Sequence, residues 1–205
     1  MLATFGESVG IFDDPEIGGA YHEVFRFDAS RLSHLAPMYS IELAQIVGRG
    51  RGRAGITIGH EALAEELRGR NGVYYLARQS LPNGEEGWVA YGFSEHDPAL
   101  ETRGPHIIND LEAVDFDFGE RSCRRGAAAI LHAMLRNANE SDQVLLKSRE
   151  RGEETRSDEF FASTAFRGLK MRLAKRRSSG LYRARVGDVR DAILLNYDIG
   201  PEPSS

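Results

Sequence analysis

The chain has a single cysteine, Cys123, in 205 residues. A lone thiol excludes an intrachain disulfide framework and any zinc site built on a cysteine cluster, and it fits a reducing cytosol. No run reaches the ~18 consecutive apolar residues of a membrane span. The opening MLATFGESVGIFDD lacks the basic stretch and long apolar core of a signal peptide, so a soluble, cytoplasmic protein is expected. Excess charge is also scarce, since 26 Lys and Arg stand against 31 Asp and Glu for a net charge of −5. That balance gives no general attraction to nucleic acid or to an anionic membrane, so any basic site must be local. Repeats are absent, and the biased segments are the Arg/Gly run at 48–55 and the short tail at 201–205. What is present, 41% hydrophobic and 28% charged residues, suffices for one ordinary folded core.

Residues 21–29 alternate aromatic and β-branched side chains (Val24, Phe25, Phe27) and predict a first strand; the structure of 1–20 is not legible. Apolar residues then recur at three- and four-residue steps through Leu32, Leu35, Tyr39, Leu43 and Ile46, which predicts one amphipathic helix capped by Ser30 and ended by Gly48. A second helix is expected at 60–67. Residues 73–77 and 88–93, joined through Pro82-Asn83-Gly84, read as a β-hairpin. The run 107–118 is long enough for a central strand, although it carries Asp110, Glu112, Asp115 and Asp117. A helix from about Ser122 to Asn139, a short strand at 143–147, a helix at 153–163 and closing strands at 181–186 and 191–197 complete the order. Antiparallel strands first and a strand–helix alternation later favour a mixed α+β sheet, with 1–20 an extension, 21–199 one domain and 200–205 a flexible tail.

The most informative stretch is FDFGERSCRRGAAAIL, residues 116–131, which runs from a strand through a short basic loop into an alanine-rich helix start. Backbone N–H groups of a first helical turn have no intrahelical acceptor, and the helix dipole adds positive potential there. Gly126, Ala127 and Ala128 would let a phosphate approach, while Arg121, Arg124 and Arg125 add charge suited to a pyrophosphate. The same composition also suits a plain packing helix.

In its order the run from about Tyr21 to Tyr197 resembles the GCN5-related N-acetyltransferase (GNAT) superfamily. The likeness rests on the helix pair after the first strand, the hairpin ending in Trp88-Val-Ala-Tyr-Gly-Phe, and the long strand leading into Arg-Arg-Gly-Ala-Ala-Ala. Asp142-Gln-Val-Leu-Leu, Phe160-Phe-Ala-Ser-Thr-Ala-Phe-Arg and Asp191-Ala-Ile-Leu-Leu add to it. The resemblance implies a central, mostly antiparallel, splayed sheet flanked by helices, and a site for acetyl-coenzyme A whose pyrophosphate lies on an Arg/Gln-x-x-Gly-x-Gly/Ala loop. With Gly126 and Ala128 as the small positions, Cys123 takes the Arg/Gln place; with Arg124 there, they fall on Ala127 and Ala129. The first alignment keeps Leu131 and Leu135 in the apolar helix pattern and is preferred. The cofactor set is then Phe118, Cys123, Arg124, Arg125, Gly126, Ala127 and Ala128. Where many members carry a tyrosine that protonates the leaving thiolate, this chain has Phe161, and Glu154 replaces an asparagine often found near that helix start.

Moving an acetyl group from a thioester to a primary amine by direct attack requires a deprotonated amine and a polarised carbonyl. A strand N–H near Phe118 can serve the carbonyl. For the base, Glu112 is the first choice, with Asp115 and Asp117 on the opposite face by strand alternation; for each the plainer role is a salt bridge to one of the many arginines. Glu95, His96 and Asp97 are candidates to line the acceptor pocket, and Tyr182 and Tyr197 to replace the missing acid. Cys123 lacks the base and oxyanion site of a nucleophile. Arg49, Gly52 and Ala54 also match the phosphate motif but follow a helix rather than a strand, and nucleic-acid binding there is the weakest expectation. The rival function is a non-catalytic acyl-CoA-binding or regulatory protein of the same fold. The acceptor would be a small-molecule or protein amine; no metal is expected, and the C-terminal strands are where a homodimer would form.

Overall fold

A computed structural model of the chain describes residues 2–32, 34–50, 60–100, 103–114, 118–150, 172–173 and 179–199. After a 3-10 turn at Leu2–Phe5, β1 (Glu7–Asp13) and β2 (Tyr21–Asp28) form an antiparallel pair with a bulge between Ser8 and Gly10. Residues before Tyr21 are therefore part of the sheet. The single helix expected over 30–46 is two, α1 (Ala29–Leu32) and α2 (Pro37–Gly50). Pro37 cannot donate the i→i−4 bond and pushes Ala36 out of helical backbone, so the chain breaks there and restarts with proline in its favoured first-turn position. Asp28, rather than Ser30, closes the start of α1: its Oδ1 accepts from Ser30 N–H at 2.9 Å and from Ser30 Oγ–H at 2.8 Å. Gly48 does not end α2, which continues to Gly50.

Next come α3 (His60–Arg68), β3 (Val73–Ser80) and β4 (Glu86–Ser94), the last two forming the expected hairpin. Over its described residues the predicted long strand 107–118 is instead two short ones, β5 (His106–Ile108) and β6 (Asp110–Ala113). Phe118 is a turn residue, not a strand end. Then follow α4 (Glu120–Leu135), β7 (Gln143–Glu150), β8 (Arg172–Leu173), β9 (Ser179–Arg185) and α5 (Val186–Tyr197). The expected closing strand at 191–197 is helical. Val186, Val189, Ala192, Ile193 and Tyr197 are buried at three- and four-residue steps, and Asp198 in the left-handed region ends the helix by donating its N–H to Leu194 O. That part of the family resemblance therefore falls on a helix. The helix expected at 153–163, and with it Glu154, Phe160 and Phe161, lies outside the described residues, as do Gly52 and Ala54.

Two sheets result, one antiparallel in the order β1-β2-β3-β4-β6 and one in the order β5-β7-β9-β8, with β5 parallel to β7. The first is packed on both faces, which explains why β3 and β4 are buried almost throughout. Against one face, α4 covers Tyr75, Ala77, Val89 and Ala90; against the other, α1, α2 and α3 cover Phe25, Tyr74, Leu76, Tyr91 and Phe93. The result is a mixed α/β architecture with a mostly antiparallel sheet between helical layers.

Candidate functional site

Asn109 is where one strand run changes partners. Residues 106–108 pair with 144–146 of β7, whereas 110–113 pair with 90–93 of β4. Asn109 donates its N–H to Phe93 O at 2.9 Å, and Ser94 Oγ donates to Ile107 O. Beyond Ile108 and Leu146 no ladder joins β6 to β7 among the described residues, and the two strands belong to different sheets. A strand bonded on one edge presents alternate N–H and C=O groups on the other, and on β6 that is the edge away from β4.

The chain reaches α4 through Val114, which donates to Val89 O at 2.8 Å, and through Phe118, whose ring lies on Gly87. Cys123 N–H closes the first helical bond, to Gly119 O at 3.2 Å. The open amides of this helix start therefore belong to Glu120, Arg121 and Ser122. Those of Arg124, Arg125, Gly126, Ala127 and Ala128 lie deeper, within the regular i→i−4 pattern.

Their side chains have other employment. Cys123, Ala127 and Ala128 are core residues, packed between α4 and the sheet. A β-carbon on Gly126 would lie 2.6 Å from Val89 Cγ2 and 3.3 Å from Ala77 Cβ, so the glycine lets helix and sheet approach. Arg125 is buried against Asp14, with Nη1 2.5 Å from Oδ1, and lies 3.7 Å from Glu16. Arg121 is exposed and reaches Glu16 at 2.6 Å; Arg124 is half-buried. Of the residues predicted to hold phosphate, the structure thus gathers six on one helix but directs most of them at the sheet.

Beneath this helix start lies a polar cluster that sequence reasoning missed. Gln79 Nε2 donates to Asp14 Oδ2 at 3.4 Å, and His22 Nε2 lies 3.2 Å from Ser122 O. A carbonyl only accepts, so His22 carries its proton on Nε2. Burial is the main reason its pKa falls, from 6.5 to about 4; Asp14 and the Ser122 bond pull it up, and Arg125 pushes it down. The signal available in the sequence was the i,i+4 pair Arg121 and Arg125 facing Asp14 and Glu16, two residues apart in the β1–β2 loop.

Glu112 is buried, and its cross-strand partner Tyr91 places it on the face covered by α2 and α3, opposite α4. Asp110, two residues earlier, shares that face. Asp115 and Asp117 lie outside the described residues. Glu95 and His96 do line a cavity of about 580 Å³, together with Arg70, Asn71, Phe93, Asn109 and Asp110. Asp97 does not join them: it accepts from Tyr75 Oη at 2.6 Å and from Arg26 Nε at 2.6 Å, and it caps the turn at Ala99. Burial and then Asp97 push the Tyr75 phenol far above the ordinary tyrosine range. Tyr197 is buried on α5 and Tyr182 lies on β9.

Among the described residues no grouping of His, Cys, Asp and Glu could hold a metal ion, and no helix is long and apolar enough to cross a membrane. No protein-family model matches the chain, and no curated protein does. One solved structure with a similar outline is a Desulfovibrio desulfuricans protein described as a candidate acetyltransferase of the GNAT family. It shares 12% identity at a TM-score of 0.43, over 80% of this chain and 99% of that one. At that level the likeness says nothing about a site.

Proposed function

We propose that the protein is an acetyl-coenzyme A-dependent N-acetyltransferase that acylates a primary amine by direct attack. The observation that supports it is the end of the β7 ladder at Ile108, where the chain passes into β6 of the other sheet, together with the open first turn of α4, in the order in which the sequence resembles the GNAT superfamily. A flexible acyl carrier fits between two strand edges that have lost their ladder, and an anion fits the amides of Glu120, Arg121 and Ser122. In this reading Arg121 and Arg124 hold the phosphate end, while Arg125, Gly126, Ala127 and Ala128 set the helix on the sheet. When bound, acetyl-coenzyme A supplies the activated acyl carbon. An N–H on the edge of β6 away from β4 polarises the thioester carbonyl, and a Glu112 carboxylate oxygen takes a proton from the acceptor ammonium. The neutral amine then attacks the acyl carbon while the C–S bond breaks and the thiolate leaves with a proton from water.

Calorimetric titration with acetyl-coenzyme A, followed by thiol release over a panel of amines, tests the reading. Micromolar binding weakened about tenfold by Arg121→Glu supports the cofactor site; the substitution reverses an exposed charge and leaves the core alone. Binding without thiol release for any amine would favour the non-catalytic acyl-CoA binder. No heat from folded protein would overturn the cofactor assignment.

A further inference from the structure

We infer that the cavity between the end of α3 and the β5–β6 junction is a binding site for a small organic cation bearing an ammonium or guanidinium group. It is separate from the helix start discussed above. Along β4 it sits at Phe93, whereas Phe118, just before α4, lies on Gly87, and that length of strand spans about 20 Å. The inference therefore stands without the transfer reading.

The lining fixes the sign of the ligand. Among the described residues that line the cavity Arg70 is the one Lys or Arg side chain, and carboxylates already engage it: Nη2 lies 2.9 Å from Glu66 Oε1 and Nη1 lies 3.5 Å from Asp110 Oδ2. With two carboxylates neutralising it, Arg70 has little charge left for an anion. Glu95 adds a second lining carboxylate beside Asp110, held toward the cavity by Asn109, whose Nδ2 donates to Glu95 Oε1 at 3.0 Å while its Oδ1 accepts from Glu95 N–H at 3.2 Å. Among the described lining residues two carboxylates stand against one guanidinium, which leaves a negative surplus at the Glu95 end of the cavity. The wall also suits a flat or slender cation, since Arg70 itself lies 5.1 Å from the Phe93 ring centroid. Asn71, Asn109 and His96 supply acceptors for further N–H groups. A volume of about 580 Å³ admits a ligand of small-metabolite size.

The test is calorimetric titration of the full chain with 1,4-diaminobutane and with agmatine, against n-butanol and acetate as neutral and anionic probes. Both cations should bind and the two controls should not. Glu95→Gln should weaken binding at least threefold and Asp110→Asn at least tenfold, with a further loss at high salt. Because Asp110→Asn also removes an Arg70 partner, its fold is checked by circular dichroism, and Glu95→Gln, at an exposed position, keeps the test decisive if that variant unfolds. Absence of binding by either cation, or binding that Glu95→Gln leaves unchanged, would overturn the site, as would equal binding of n-butanol.

Discussion

His22 shows how one buried side chain ties stability to pH. Its pKa is about 4 in the folded protein against 6.5 for the free side chain, so below pH 6.5 the unfolded chain binds the extra proton. The stability this ring preserves is intact above pH 6.5 and is lost as pH falls toward 4, by about 3 kcal/mol in total. Urea titrations of the wild type and His22→Gln between pH 7.5 and 4 should show a steeper decline for the wild type; parallel curves would remove His22 as the cause. Arg125 and Asp14 form the second residue-scale test. Arg125→Ala strands a buried carboxylate and should cost about 3–5 kcal/mol, whereas Arg125→Met with Asp14→Leu should recover most of it. The sequence offered the spacing of Arg121 and Arg125 and of Asp14 and Glu16 but not their pairing, because Asp14 and Arg125 are 111 residues apart and only the fold makes them neighbours.

At the scale of elements, α4 illustrates a motif whose chemistry the sequence leaves ambiguous. Small residues at 126–129 suit a phosphate loop or a helix pressed on a sheet, and Val89 and Ala77 beneath Gly126 show the second use. Gly126→Ala should therefore destabilise the fold by about 1–3 kcal/mol, read as a lower urea midpoint with unchanged slope. A fold that tolerates alanine without loss would restore the phosphate role for that glycine. Elsewhere the errors have distinct causes. Pro37 announced the break between α1 and α2 and was overridden by an apolar period that continued across it. At 191–197 the run Ala-Ile-Leu-Leu is too short for composition to separate strand from helix, and packing of Val189 and Ile193 against the α4 core decides for helix. The hairpin at 73–94 needed no such decision, since Pro82-Asn83-Gly84 fixes its turn locally.

For the whole molecule, the five-stranded sheet is shared by two apolar cores, one under α4 and one under α1–α3. Neighbouring residues of β3, Tyr75 and Leu76, belong to different cores, so neither core can melt while the strand stays intact. Leu76→Ala should cost about 2–5 kcal/mol, and thermal unfolding followed by far-UV circular dichroism and by the fluorescence of Trp88, the chain's single tryptophan, should coincide. Separate transitions would mean that the cores fold independently. The amino-acid sequence by itself determined what depends on short-range covalent order: an α+β composition, the β3–β4 hairpin, the periods of α3 and α4, and the lone thiol that excludes disulfides. Only the tertiary structure decided that the acidic run at 107–118 changes partners at Asn109, that Arg125 turns inward to Asp14, and that Glu95 and Asp110 share a cavity while Asp97 faces Arg26. Those outcomes depend on which groups meet across long stretches of chain, and burial and electrostatics act on such pairs only after the sheet has brought them together.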